Sequence, residues 1–277
     1  MPAPTRIPDS LLAIADAQSQ VVSRSQALNA GLSPDSLRGL VSAGRWATLT
    51  RGIFTTDGMA ADRAGWFQWA WCGLLIAGPG SCLGVRAAAY LNGFDDQARP
   101  IHVWCPAARS LPRRNRDAGL TTHLRFVRGT RDALWTPPRT SVNRTVLDLC
   151  SQEVVQGSAN DNSLRSMEAV RVRIEEGVRY GGTTLESLLA TLDNAEDLGG
   201  SRTRGHGTIR NVLNLLLVQQ DQLNGTQSPG RRPIPVDPWW PVLTGPPIRR
   251  WSPRPGAELG GTAALMPTPD RRPPANL

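Results

Sequence analysis

A chain of 277 residues, 40% of them hydrophobic, is long enough to bury a sizeable core as two small domains or one larger one. Its net charge of +8 comes wholly from arginine, because no lysine occurs, and it points to a polyanionic partner met by planar, bidentate guanidinium groups. A membrane-spanning role is excluded: the longest apolar run, residues 66–77, contains Gln68 and falls well short of the ~20 residues a bilayer needs. The first residues, with Arg6 and Asp9 and no continuous apolar stretch, do not read as a signal peptide, so a cytoplasmic location is expected. The charge is uneven. Residues 1–199 hold 21 Arg against 19 acidic residues, whereas residues 200–277 hold 10 Arg against 4, so the high pI reports mainly on the C-terminal part.

In chain order, residues 7–18 read as a first helix with Ile7, Leu11, Leu12, Ile14 and Ala15 on its apolar face. Residues 21–56 carry the densest local signals. Ser23 followed by Gln26 is a capping box, with Val22 and Ala27 at the staple positions, and the Asn29-Ala30-Gly31 run stops this helix. Ser33 and Pro34 open the next helix, Leu37, Leu40 and Val41 form its apolar stripe, and Gly44 ends it. Residues 45–50 and 53–55 read as two short strands about a turn at Arg51-Gly52. Helix, turn, helix and hairpin in that order form a winged helix-turn-helix, whose second helix enters a DNA major groove. Arg24, Arg38, Arg45 and Arg51 are placed to neutralise phosphates, and Ser33, Ser36 and Arg38 to reach base edges. The plainer alternative is a pair of packing helices with ordinary solvated arginines.

Beyond residue 57 the pattern changes to a second, α+β unit at about 60–195. Asp62 reads as the cap of an apolar helix ending at Ala77, followed by a turn at residues 78–80 and a short helix at 86–91. Strands come next at 101–105 and 120–127, then helices at 145–150, 163–178 and 184–192. Between the two strands lies a basic loop with Arg109, Arg113, Arg114 and Arg116, read as a hairpin tip. It is a second candidate DNA contact, with a solvated loop as the simpler reading. Asp148 reads as a cap or as an ion-pair partner, with Arg144 four residues earlier as the candidate, in preference to a catalytic acid.

The four cysteines, Cys72, Cys82, Cys105 and Cys150, have apolar flanks and no paired spacing, so buried free thiols are expected. The three histidines, at 102, 123 and 206, have no ligand-spaced partners, so no metal, cofactor or catalytic cluster is expected. After Gly199 a single helix at 210–220 is allowed, but 13 of the 23 prolines lie beyond Asn224 and no apolar period survives there, so residues 199–277 read as a disordered or degenerate tail.

The run SRSQALNAGLSPDSLRGLVSAGRWATLTRGIF, at residues 23–54, resembles the N-terminal domain of the AbiEi-type antitoxins, a winged-helix group common in actinobacteria. Arg24, Gln26, Ala27, Gly31, Leu32, Leu37, Leu40, Val41, Gly44, Trp46, Leu49, Gly52 and Ile53 carry the likeness. Weaker markers continue it to about residue 192: GPG at 78–80, RAAAYLNGF at 86–94, IHVWCP at 101–106 and RTSVNRTVLDLC at 139–150. One departure is Gly84-Val85, where relatives often carry Ser-His.

The resemblance implies binding of double-stranded DNA at an operator and repression of the chain's own promoter. In two-gene systems it also implies neutralisation of a nucleotidyltransferase-like toxin protein. Longer relatives carry an endonuclease-like C-terminal domain, of which this tail is expected to be a degenerate or frame-shifted remnant. Two alternatives stand beside the regulator: an endonuclease-family protein that docks through the winged helix and has lost its catalytic domain, and a protein-interaction module for a toxin. Operators with inverted repeats would call for a homodimer.

Overall fold

In the computed structural model the described residues are 6–96, 99–106, 122–129, 135–159, 163–197 and 205–225. Helix α1 (Asp9–Ala17) begins behind Pro8 and buries Leu11 and Ala15, one turn apart. Leu12 is rotated off that face and is 42% exposed, so it does not belong to the apolar stripe expected for it. The capping box then forms as the side chains dictate. Ser23 Oγ accepts the Gln26 N–H at 3.1 Å, and Gln26 Oε1 accepts the Ser23 N–H at 2.8 Å, opening α2 (Arg24–Asn29). At α3 (Pro34–Ser42) Ser33 Oγ takes the Ser36 N–H at 3.0 Å.

Both helices end in the same motif. The Gly31 and Gly44 N–H groups donate to Leu28 and Val41 carbonyls, and the next N–H groups, of Leu32 and Arg45, reach back to Ala27 and Leu40. These are Schellman closures, and the two glycines supply the left-handed backbone they need, at φ +100° and +70°.

A three-residue strand preceding α2 is not apparent in the sequence pattern. This strand, β1 (Val21–Ser23), pairs antiparallel with β3 (Ile53–Thr55), which pairs with β2 (Ala47–Thr50), in the order β1-β3-β2. The sheet has cores on both faces. Val22, Trp46 and Phe54 pack with Leu11, Ala27, Leu32, Leu37 and Leu40, while Val21, Leu49 and Ile53 join the core around α4 (Trp66–Ala77). All three β3 residues are buried for that reason. The winged helix is therefore joined to α4 through a shared core beneath its sheet, and not merely by the chain at residues 57–58.

Helix α4 starts at Trp66, not at Asp62. Gln68 Oε1 accepts the Gly65 N–H at 3.0 Å and its amide donates to Asp57 at 3.0 Å, so Gln68 provides the reach-back that Asp62, exposed in the preceding turn, does not. The helix is apolar all round because it is packed between the wing sheet and a second sheet.

That second sheet orders β4 (Cys82–Leu83), β5 (Ile101–Cys105) and β6 (Leu124–Arg128), with β4 and β5 antiparallel. β5 and β6 are parallel, which corrects the hairpin expected between them, since parallel neighbours require a crossover connection. Arg109, Arg113, Arg114 and Arg116 lie outside the described residues.

After α5 (Val85–Leu91) come α6 (Val142–Ala159), α7 (Ser163–Gly181), α8 (Leu185–Asp197) and α9 (His206–Gly225). Thr184 caps α8 by accepting the Ser187 N–H at 3.2 Å. Val146, Leu147, Val170, Ile174, Leu188 and Leu192 form a third core, which Ile209, Val212 and Leu213 of α9 complete. Packing on the third core therefore extends beyond Gly199 through α9 as far as Leu216 and Leu217; residues 198–204 and 226–277 lie outside the described ones. All four cysteines are buried and none is in a disulfide, and no described helix is long and apolar enough to cross a membrane.

His102 on β5 is 7% exposed, and neither ring nitrogen has a hydrogen-bond partner among the described residues. Burial lowers its pKa to about 4, with the nearby Arg125 and Arg86 charges acting in the same direction. The folded form therefore binds fewer protons than the unfolded one between about pH 6.5 and 4, so stability is intact above that window and falls as pH drops through it. The expected loss is about 3 kcal/mol. Urea unfolding at pH 7 and pH 4 checks it: His102→Leu should show a visibly shallower acid loss, and a parallel loss would mean that the imidazole is not the titrating group.

Candidate nucleic-acid interface

Burial of Leu37 and Leu40 fixes which side of α3 faces out. Asp35, Arg38, Gly39 and Ser42 are all exposed and recur at i, i+3, i+4 and i+7, so they form one outward stripe along this nine-residue helix. Ser33 and Ser36 stand at its N-terminal end. The Ser33 hydroxyl is engaged by the cap and also donates to Ser36 Oγ at 3.0 Å, so this pair shapes the helix entrance as well as facing solvent. Arg45 lies at the opposite end, exposed, just past the Schellman closure that turns the chain into β2.

Arg38 carries a partner that the reading of its charge left out. Its guanidinium Nη2 donates to Asp35 Oδ1 three residues earlier. The signal was present in the Asp-x-x-Arg spacing. With side chains 75% and 81% exposed, the pair is screened and contributes little, so Arg38 is cheaply released to a stronger anion. Asp35 also sits in the first turn of α3, where its charge suits the helix dipole.

The other two candidate arginines meet at a second corner. The Arg24 N–H donates to the Gly52 carbonyl at 2.8 Å, which ties the start of α2 to the wing turn. Arg24 and Arg51 consequently line one open hollow of about 510 Å³, floored by Leu28, Leu75 and Ile76. Both side chains are exposed. Two exposed arginines lining one hollow beside a helix start supply cations that can attract phosphates without reading base sequence. Ser25, not singled out from the sequence, belongs to the same corner, and its hydroxyl lies 2.9 Å from that of Ser23.

Arg144 holds Asp148 through Nε and Nη2, at 3.0 and 2.7 Å, in the ion pair expected from their spacing. Gly84, where the resemblance expects a Ser, is backed by the Trp104 indole, and a Cβ there would stand 2.1 Å from Nε1. The close approach of that indole therefore requires glycine at this position. Among the described residues no group of three His, Cys, Asp or Glu is placed to hold a metal ion.

Residues 9–56, which span α1 to β3, match the family model described as a transcriptional regulator, AbiEi antitoxin. No curated protein matches the chain. Among solved structures, the chain is similar to the crystal structure of RV2827C protein from Mycobacterium tuberculosis, at 18% identity and a TM-score of 0.35, over 74% of this chain and 82% of that one.

Proposed function

We propose that this chain is a sequence-specific DNA-binding transcriptional regulator of the antitoxin type, acting without catalysis. The observation that carries the reading is the outward stripe of α3, which presents Arg38 beyond a helix entrance shaped by Ser33 and Ser36, in the order of elements that docks on DNA. The match of residues 9–56 to an antitoxin regulator family supports it. In this reading α3 enters the major groove. Arg24 and Arg51 set the register on phosphates, and Arg45 holds the backbone where the wing begins. The finer proposals are that the operator lies in the chain's own promoter, that two copies occupy an inverted repeat, and that a nucleotidyltransferase-like toxin is the protein partner. Arg109, Arg113, Arg114 and Arg116 are proposed as auxiliary phosphate contacts.

A gel shift of the full chain on its own upstream DNA, with random competitor DNA and varied salt, tests the proposal. The full chain is needed because α9 completes the third core, and competitor is needed because residues 200–277 add a basic, non-specific charge. A shift that survives competitor supports the regulator. A shift that competitor abolishes overturns it and leaves the winged helix as a scaffold. Within that assay, Arg38→Ala should weaken cognate binding by ~1–3 kcal/mol if the guanidinium pairs with a guanine. Equal losses on cognate and random DNA would make Arg38 a phosphate contact alone.

A further inference from the structure

Glycine inside a helix needs a reason, because it is the poorest helix former after proline. In this protein the reason is usually a neighbour. A Cβ at Gly73 of α4 would lie 2.8 Å from Val103, one at Gly157 of α6 2.4 Å from Ser166, and one at Gly177 of α7 2.3 Å from Val146. Each of these glycines lets another element approach the helix backbone. Gly39 differs from them, and also from Gly207, which is as open but stands in the first turn of α9. It sits in the middle of α3, its φ is not positive, and nothing lies within 4 Å of where its Cβ would stand. It is also on the outward stripe, between Arg38 and Ser42.

We infer that Gly39 is the point at which the α3 backbone meets double-stranded DNA, the missing side chain making room for the groove wall as Gly73, Gly157 and Gly177 make room for neighbouring elements. This rests on the DNA-binding reading above and deepens it by naming the closest approach. Arg38 and Ser42 flank that approach, so a side chain at position 39 would lift both of them away from the bases. The absence of an internal neighbour makes the two consequences of a substitution separable. Adding a methyl group costs the free protein nothing in packing and improves the helix.

The test compares the full-length wild type with Gly39→Ala and Gly39→Leu. For Gly39→Ala the thermal midpoint should rise by about 2–4 °C, while affinity for the cognate upstream DNA falls about tenfold or more. The larger Gly39→Leu side chain should lose more. Binding of random DNA, driven by phosphates, should stay within about twofold of wild type. If Gly39→Ala binds cognate DNA as tightly as wild type, the close approach is overturned while the regulator reading stands. If the wild type itself fails to distinguish cognate from random DNA, the reading falls and the inference with it.

Discussion

Replacing Trp46 by alanine is expected to cost about 3–5 kcal/mol and to abolish DNA binding along with the order of the winged helix. Trp46 is 1% exposed and is among the largest fully buried side chains. It packs against Phe54 at a centroid distance of 6.4 Å and shares its core with Leu37 and Leu40, the two residues that set the rotation of α3. Its backbone N–H, which alanine would keep, donates to the Leu40 carbonyl at 3.1 Å and holds the residue at the α3 terminus. Losing the indole therefore leaves a cavity beneath the helix that presents Arg38. Trp46→Phe separates volume from polarity. Trp46 Nε1 has no hydrogen-bond partner among the described residues, so phenylalanine keeps much of the ring contact and removes a buried, unsatisfied donor. Its cost should be well below that of Trp46→Ala, since only the part of the indole beyond the phenyl ring is lost. Urea midpoints for both variants decide the matter: a loss under about 1 kcal/mol for Trp46→Ala would show that this core does not depend on the tryptophan.

How far each element is legible in the sequence depends on the range of the interactions that make it. The Ser23–Gln26 box, the Ser33 cap with Pro34, and the stops at Gly31 and Gly44 involve atoms within a few residues of one another, so the residue types alone specify them. β1 has no such local mark. It is three residues long and exists because Val21 pairs with Thr55, far along the chain. The same limit hid the parallel pairing of β5 and β6, since two strands joined by a short basic segment look like a hairpin until the register of Val103 with Phe126 is known. Asp62 has the right chemistry for a cap, but Gln68 can satisfy both the Gly65 N–H and Asp57, a choice that only the folded turn reveals. At the candidate interface the arginines were legible as charges. Their grouping was not: Arg24 and Arg51 line one hollow because the Arg24 N–H ties the start of α2 to the wing turn at Gly52.

The second large effect belongs to the ion pair in α6. Asp148 is a carboxylate whose side chain is only 4% exposed, and Arg144, itself 15% exposed, donates to one of its oxygens twice. Their order along the helix, base before acid, is the less favourable one for an i, i+4 pair, so position on the helix alone does not account for it. Burial does. With both groups out of water the pair need not be a net source of stability, but each becomes costly without the other. Arg144→Ala should therefore destabilise, by up to about 3–5 kcal/mol, because the buried Asp148 carboxylate loses the two hydrogen bonds that Arg144 donates. Replacing both residues by leucine should recover most of that loss. A double variant no more stable than Arg144→Ala would show that the cost lies in the packing of the arginine stem and not in its charge. The double variant also separates fold from function. If it folds and still binds cognate DNA as wild type does, Asp148 is a structural acid; if it folds as wild type but loses binding, the pair positions the winged helix for DNA.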